Sequence, residues 1–449
     1  MVAKLIKQNG KFGRGLRNTV LCLRILDENR VVLRIHQGEI ITCALVGIFG
    51  ISILDALILR PGVYYIADSK EVLHSVAVHN ILARFQADTF FRPLEYLVLS
   101  LANHIYLPLW LAVSLLSVVG AAILSGLASE RLFDRQLPNS GWWILGIANP
   151  LLFYLVSTPG TVSQCLSNLL FSAAILAFIS ELRQLRHQPL PGWRGERAAV
   201  SLNLLAAALF FAKETAVAPA VLLPIGTALI RFKSQRLSSI FLFSLLFPLG
   251  AIIAWILIKM QLPMSMYLTS GARYSPKLNP ISWAENLIIT IAFPVTPLPS
   301  SFLGFGLLRP LWAGVALGSV SLFIALLLRE SVRQPKIVLP LLVIAASCAP
   351  MILVHSNELY SSMIAPFAVS TVLLLGVKVP WSSLTYGLLL YAASLGNGIV
   401  YCWGPDYNLF GLERLQYSIY SKYHPQDVTC PIITTAHIGW DGTAFACIR

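Results

Sequence analysis

Apolar runs of about 20 residues follow one another along nearly the whole chain, and this pattern constrains the fold most strongly. A helix needs about 20 mostly apolar residues to cross a bilayer, and in hydrocarbon it satisfies its own backbone hydrogen bonds. Charged residues make up only 12% of the 449 residues, against about 25% in soluble domains. The sequence therefore predicts one all-α polytopic membrane domain.

Eleven runs qualify as transmembrane helices, and the fifth and sixth are short enough to form one bent hairpin around Lys213 and Glu214. A twelfth apolar stretch, 283–299, carries three prolines and is interpreted as re-entrant or interfacial. The predicted spans are 39–60, 107–128, 142–159, 162–182, 199–213, 216–230, 240–261, 308–328, 337–355, 363–379 and 384–404.

The distribution of basic residues predicts the orientation. Residues 1–38 contain eight Lys and Arg, which indicates a cytoplasmic N-terminal segment. Following the spans from there, 21 of the 33 Lys and Arg fall on the cytoplasmic side. The net charge of +13 is then a topological signal, and no nucleic-acid partner is expected. The domain of 39–404 is followed by an extracytoplasmic tail, 405–449.

Three segments outside the membrane are substantial: the loops 61–106 and 262–307 and the tail. The cytoplasmic loops are short and no phosphate-binding GxxxxGK[ST] motif occurs, which argues against an ATP-driven pump. In the tail, Cys430 and Cys447 are candidates for a disulfide, since the outer compartment is oxidising. Closing that loop would contribute about 3 kcal/mol on the chain-entropy estimate.

Charged residues at three places on the outer side suggest chemistry. Loop 61–106 contains acids, among them Asp68 and Asp88, close to the membrane surface, where they can act as bases or metal ligands. Lys213 lies at the tip of an apolar hairpin, where a compact cation can meet a phosphate. Segment 354–367 offers further polar side chains. Ordinary solvated loops and polar turns are alternatives that composition leaves open.

Four segments of the chain resemble, in order, the GT-C superfamily of integral-membrane glycosyltransferases. They are VYYIADSKEV after the first span, the Arg92–Pro93 pair before an apolar helix, LLFYLVSTPGTVSQCLSN at 151–168, and AKETAVAPAVLLP at 212–224. The resemblance covers roughly residues 40–225. It is nearest to bacterial relatives of the transmembrane O-mannosyltransferases, although tetratricopeptide repeats are absent and Ala67–Asp68 stands where the family has two acids.

The resemblance implies a polyprenyl-phosphate-linked sugar donor and a glycan, lipid or protein acceptor on the extracytoplasmic face. Asp68 would deprotonate the acceptor or bind a divalent metal, Mg²⁺ or Mn²⁺, with Asp88 as the reserve acid. Arg92 and Lys213 would neutralise the donor phosphate, and Glu214 would orient Lys213. The remaining candidates, for the substrate pocket, are His355, Glu358, Tyr360 and Arg273.

Two other functions are compatible with this sequence. One is a polysaccharide polymerase or ligase, which also uses large outer loops, or a noncatalytic membrane subunit; the reduced acid pair favours this alternative slightly. A lipid-linked-sugar flippase or transporter shares the polytopic composition but usually places ionisable groups near mid-membrane. The absence of any Asn-x-Ser/Thr sequon favours a bacterial cytoplasmic membrane over a glycosylating compartment.

The predicted orientation can be tested with alkaline phosphatase, which is active only outside the cytoplasm. We expect a fusion after Gln235 to be inactive and a fusion after Arg273 to be active, because one predicted span separates the two loops. Enzyme activity and fusion-protein level are measured in the same cells. An active fusion after Gln235 and an inactive fusion after Arg273 would show that the orientation is the reverse of the one predicted.

Overall fold

The computed structural model describes residues 37–59, 92–104, 109–157, 159–186, 193–213, 216–261, 279–348, 352, 358–376, 380–403, 437–440 and 445–448. Within these ranges the chain is almost entirely helical. The helices of the first half are α1 Gln37–Leu54, α2 Pro93–His104, α3 Leu109–Phe133, α4 Asn139–Leu145, α5 Leu152–Val156, α6 Val162–Arg186, α7 Trp193–Phe210 and α8 Val217–Lys233. Those of the second half are α9 Ser239–Ser244, α10 Leu246–Gln261, α11 Pro280–Val295, α12 Leu308–Arg333, α13 Val338–Ala346, α14 Glu358–Ser361, α15 Ala365–Leu375 and α16 Pro380–Trp403.

The chain is a helical, polytopic membrane protein. Among the described residues, six helical segments are long and apolar enough to cross a bilayer. They are Gly38–Leu57, Leu109–Phe133, Val162–Leu185, Ser239–Leu257, Leu308–Arg333 and Ser382–Val400. The count of eleven spans stays a prediction, because the other apolar helices are shorter or less apolar.

Two predicted elements differ in detail from the structure. The predicted span 142–159 is interrupted between α4 and α5 at Pro150, which has no backbone N–H to continue a helix. The Asn149 side chain accepts a hydrogen bond from the Leu151 N–H at 2.9 Å and so stabilises the break. The proline-rich stretch 283–299 is mostly helical, since α11 runs from Pro280 to Val295 with Asn279 capping its first turn.

The described residues of the tail form two short antiparallel strands, β1 His437–Trp440 and β2 Phe445–Ile448, which the sequence analysis did not predict. Ile438 pairs with Cys447 in this ladder. Cys430 lies outside the described residues, so its disulfide with Cys447 stays a prediction.

Helix α6 lies at the centre of the bundle. It packs most extensively against α3 and also contacts α2, α7, α8 and α15. Its apolar side chains, such as Phe171 and Phe178, are fully buried. Outer helices instead expose large apolar side chains, for example Leu257 on α10 and Leu328 on α12. Such faces suit a hydrocarbon environment, in which lipid rather than water covers them.

Charged residues from five predicted cytoplasmic helix ends and loops converge at one end of the bundle, which we call the basic end. Arg231 lies 2.6 Å from Glu181 and 2.7 Å from Glu196, which ties α8 to α6 and α7. The other contacts of the basic end are Arg135–Glu330, Arg183–Asp134, Lys336–Asp134 and Arg131–Ser180. Residues predicted to share one side of the membrane therefore lie together.

Removing the buried guanidinium of Arg231 should destabilise the bundle strongly. Its side chain is 2% exposed and contacts two carboxylates, so Arg231→Met leaves Glu181 buried without its counter-charge and should cost about 3–5 kcal/mol. We expect a clear fall in the thermal unfolding midpoint in detergent.

Arg333→Met is the matched control. Arg333 is 59% exposed and lies 4.0 Å from Glu330, so its loss should cost under about 1 kcal/mol. Equal shifts for the two variants would contradict this account.

Candidate functional site

Four segments meet at the end of the bundle opposite the basic end: the start of α2, the start of α6, the turn after α7, and the region of α14. The Leu94 N–H donates a hydrogen bond to the Phe211 carbonyl at 3.2 Å, which fastens α2 to the turn that follows α7. Arg92 and Lys213, far apart in sequence, therefore belong to neighbouring segments.

Lys213 is nearly excluded from solvent in this turn. Helix α7 ends at Phe210, and the next N–H groups, of Phe211 and Ala212, bond three residues back, which tightens the turn before Lys213. The Lys213 side chain is 5% exposed, and its Nζ lies 5.4 Å from the centroid of the Tyr360 ring. A cation over an aromatic face at this distance is attracted by the negative face of the ring.

Arg92 and Glu95 supply two further charges beside α2. Pro93 occupies the first position of this helix, where its missing N–H costs nothing. Arg92 lies just before it, and its Nη1 is 3.5 Å from the Glu95 carboxylate. Glu95 is 2% exposed, whereas Arg92 is 19% exposed and faces solvent in part. An acid in the first helical turn also interacts favourably with the helix dipole.

Helix α6 contacts the elements that carry both groups of charges. It packs against α2, which carries Glu95, and against α7, which ends just before Lys213. Arg92, Lys213 and Glu95 carry two positive charges and one negative charge between them, so an anion is the ligand that their charge favours.

A buried polar cluster lies beside these charges and consists of Gln164, Asn168 and Ser362; we call it the amide cluster. Gln164 Nε2 donates to Asn168 Oδ1 at 2.8 Å, and Asn168 Nδ2 donates to Ser362 Oγ at 3.1 Å. All three side chains are at most 1% exposed. Within the described part of the chain, Gln164 Oε1 has no hydrogen-bond partner. A buried acceptor left in this way costs about 1–3 kcal/mol.

This arrangement is suited to holding a phosphate. Lysine contributes a compact point charge and arginine a planar fork that matches phosphate oxygens. Partial exclusion of water strengthens both interactions, because the local dielectric constant is lower than that of bulk water. Charge stabilisation of this kind favours the departure of a phosphate from carbon.

The predicted site residues fall into two groups. The structure brings Lys213 and Tyr360 into contact and places Arg92 on the segment bonded to Phe211. Glu358 is the first residue of α14. The other candidates lie outside the described residues, and their roles stay predictions: Asp68, Asp88, Glu214, Arg273 and His355.

Sequence reasoning counted Glu95 among the acids of the first outer loop without assigning it a role, and it did not identify Gln164 or Asn168. Gln164 and Asn168 are four residues apart in an apolar helix and therefore share one face, a signal that was present in the sequence. The described residues contain no group of three or more His, Cys, Asp or Glu that could hold a metal ion. A divalent metal at Asp68 stays a prediction.

No protein-family model, curated protein or solved structure matches the chain. Its function must therefore be inferred from the side chains.

The contact between Lys213 and Tyr360 should be measurable as a coupling energy. We expect Tyr360→Leu to remove a cation–π attraction of about 0.5–2 kcal/mol, whereas Tyr360→Phe keeps the ring and most of that attraction. The free energy of unfolding is measured for each variant alone and combined with Lys213→Met. If Tyr360→Leu costs as much in the Lys213→Met background as in the wild type, the two side chains are not coupled.

Proposed function

We propose that this chain is a membrane glycosyltransferase of the GT-C type, which transfers a sugar from a polyprenyl-phosphate donor to a glycan, lipid or protein acceptor. The observation that carries the proposal is the nearly buried ammonium of Lys213, held over Tyr360 on a segment bonded to that of Arg92. A polyprenyl-linked phosphate lies where the bilayer meets water, with its chain in hydrocarbon. A cationic site at the end of an apolar bundle suits such a group in charge and in depth.

The reaction assigned to this site is a displacement at the anomeric carbon. A hydroxyl oxygen of the acceptor forms a bond to that carbon while the bond between the carbon and the phosphate oxygen breaks. The electron pair of the broken bond leaves with the phosphate as polyprenyl phosphate. Lys213 and Arg92 stabilise the negative charge that develops there, and Asp68 takes the proton of the acceptor hydroxyl.

The two candidate bases of the first outer loop, Asp68 and Asp88, precede Arg92 in the chain. Asp88 is four residues before Arg92, so their Cα atoms are at most about 14 Å apart. This covalent limit supports Asp88 as the reserve base. In this proposal, Asp68 is also the residue that would bind a divalent metal.

The proposed location is the extracytoplasmic side of a bacterial cytoplasmic membrane. The Arg131, Arg135, Arg183 and Arg231 contacts support it, because they gather the predicted cytoplasmic residues at the end of the bundle opposite Lys213. The positive-inside rule then puts the basic end in the cytoplasm and Lys213 at the outer surface.

Loss of the Lys213 charge should abolish sugar transfer while leaving a folded protein. We expect Lys213→Met to lower the rate of transfer from a polyprenyl-phosphate hexose by about 100-fold or more, the usual effect of removing one group that stabilises transition-state charge. Arg92→Gln should also lower the rate of sugar transfer. Transfer is assayed with purified protein in nanodiscs, and size-exclusion profiles check that each variant is folded.

Lys233→Met is the matched control, since Lys233 is exposed at the opposite end of α8. It should retain the wild-type rate. Full activity in both Lys213→Met and Asp68→Asn would refute the assigned site. Extended glycan products would instead indicate a polymerase, and lipid flipping in proteoliposomes without sugar transfer would indicate a flippase.

A further inference from the structure

The amide cluster is linked to the Lys213 site by hydrogen bonds and by neighbours along the chain. Tyr360, whose ring faces the Lys213 ammonium, is two residues from Ser362. Ser362 accepts the hydrogen bond from Asn168, and Asn168 accepts the one from Gln164. Gln164 lies in the first turn of α6, the helix that packs against α2 and α7. The polar cluster and the charged site are therefore two parts of one region.

The chemistry of the amide cluster matches a polyhydroxylated ligand. A carboxamide offers two donors and an acceptor, and a serine hydroxyl both donates and accepts, as sugar hydroxyl groups do. Within the described residues, Gln164 Oε1 and the hydroxyl of the adjacent Ser163 are buried and have no hydrogen-bond partner. Buried polar atoms in native proteins are nearly always paired, and these two atoms retain hydrogen-bonding capacity that sugar hydroxyl groups can use.

We infer that Gln164, Asn168 and Ser362 recognise the hydroxyl groups of the sugar whose lipid-linked phosphate is held at Lys213. The inference rests on the proposed function and extends it, because it separates the site into a phosphate part and a sugar part. The phosphate part holds any polyprenyl phosphate. The sugar part makes the chain distinguish a glycosylated carrier from a bare one.

A purely structural role for the same hydrogen bonds makes a different prediction. The bond from Asn168 to Ser362 joins α6 to the segment between α14 and α15 and contributes to helix packing. If packing were its whole purpose, removing the Gln164 amide would affect bare and glycosylated carriers equally. A packing role cannot produce a loss of affinity that is confined to the glycosylated carrier.

The experiment measures binding of two kinds of probe to the full chain in nanodiscs: bare undecaprenyl phosphate, and the same carrier conjugated to glucose or to mannose. We expect the wild type to bind at least one conjugate more tightly than the bare carrier. Gln164→Leu should weaken binding of that conjugate about tenfold, which corresponds to about 1.4 kcal/mol, and leave the bare carrier unchanged. Ser362→Ala, a smaller change, should show the same selectivity. Lys213→Met should weaken binding of both probes.

Asn203→Leu is the matched control. Asn203 Nδ2 donates to Ser244 Oγ at 2.7 Å, so this pair has the same chemistry as Asn168 and Ser362 and is also buried. Asn203 Oδ1, like Gln164 Oε1, has no hydrogen-bond partner within the described residues, so the two sites differ in their place in the bundle rather than in their chemistry. Asn203 precedes Lys213 by ten residues, about 15 Å along a helix. We expect it to keep the wild-type preference between the probes.

Four other results would overturn the sugar-binding assignment or the proposed function. Equal losses for the two probes in Gln164→Leu and Ser362→Ala, or no loss in either variant, would overturn the sugar-binding assignment. So would a wild type that binds bare and glycosylated carriers alike, although the phosphate site at Lys213 would stand. If the wild type bound neither probe, the proposed function would fail and this inference with it.

Discussion

The burial of the Lys213 ammonium is the constraint on which the candidate site depends. Moving a cation out of water is costly unless the surrounding groups compensate for the lost hydration. Here the face of the Tyr360 ring contributes part of that compensation. A bound phosphate would add a negative partner.

Helix α6 fixes the position of this site relative to the rest of the bundle. Polar residues recur along it at multiples of four, and each has a different partner. Asn168 bonds to Ser362, Ser172 accepts from Ser125 of α3, and Ser180 accepts from Arg131. Hydrogen bonds between buried helices set their register, because apolar packing alone has no driving force against lipid. The same helix therefore connects the Lys213 site to the ionic contacts of the basic end.

The apolar pattern was sufficient to predict a helical membrane protein, because hydropathy reports directly on the solvent around each segment. It was less informative about helix breaks: the interruption at Pro150 depends on the local Asn149 bond as well as on proline. Lys213 was identifiable because a charge in an apolar hairpin is conspicuous. Its contact with Tyr360, and the hydrogen bond from Asn168 to Ser362, depend on how distant segments pack, and this packing cannot be recognised from a single sequence.

The central claim is that Lys213 binds the phosphate of a lipid-linked sugar. The most direct measurement is a cryo-electron microscopy structure of the chain in nanodiscs with a bound polyprenyl-phosphate hexose. Our account predicts the phosphate within hydrogen-bonding distance of Lys213 Nζ. A phosphate bound at the basic end, or elsewhere with Lys213 making no contact to it, would contradict the account.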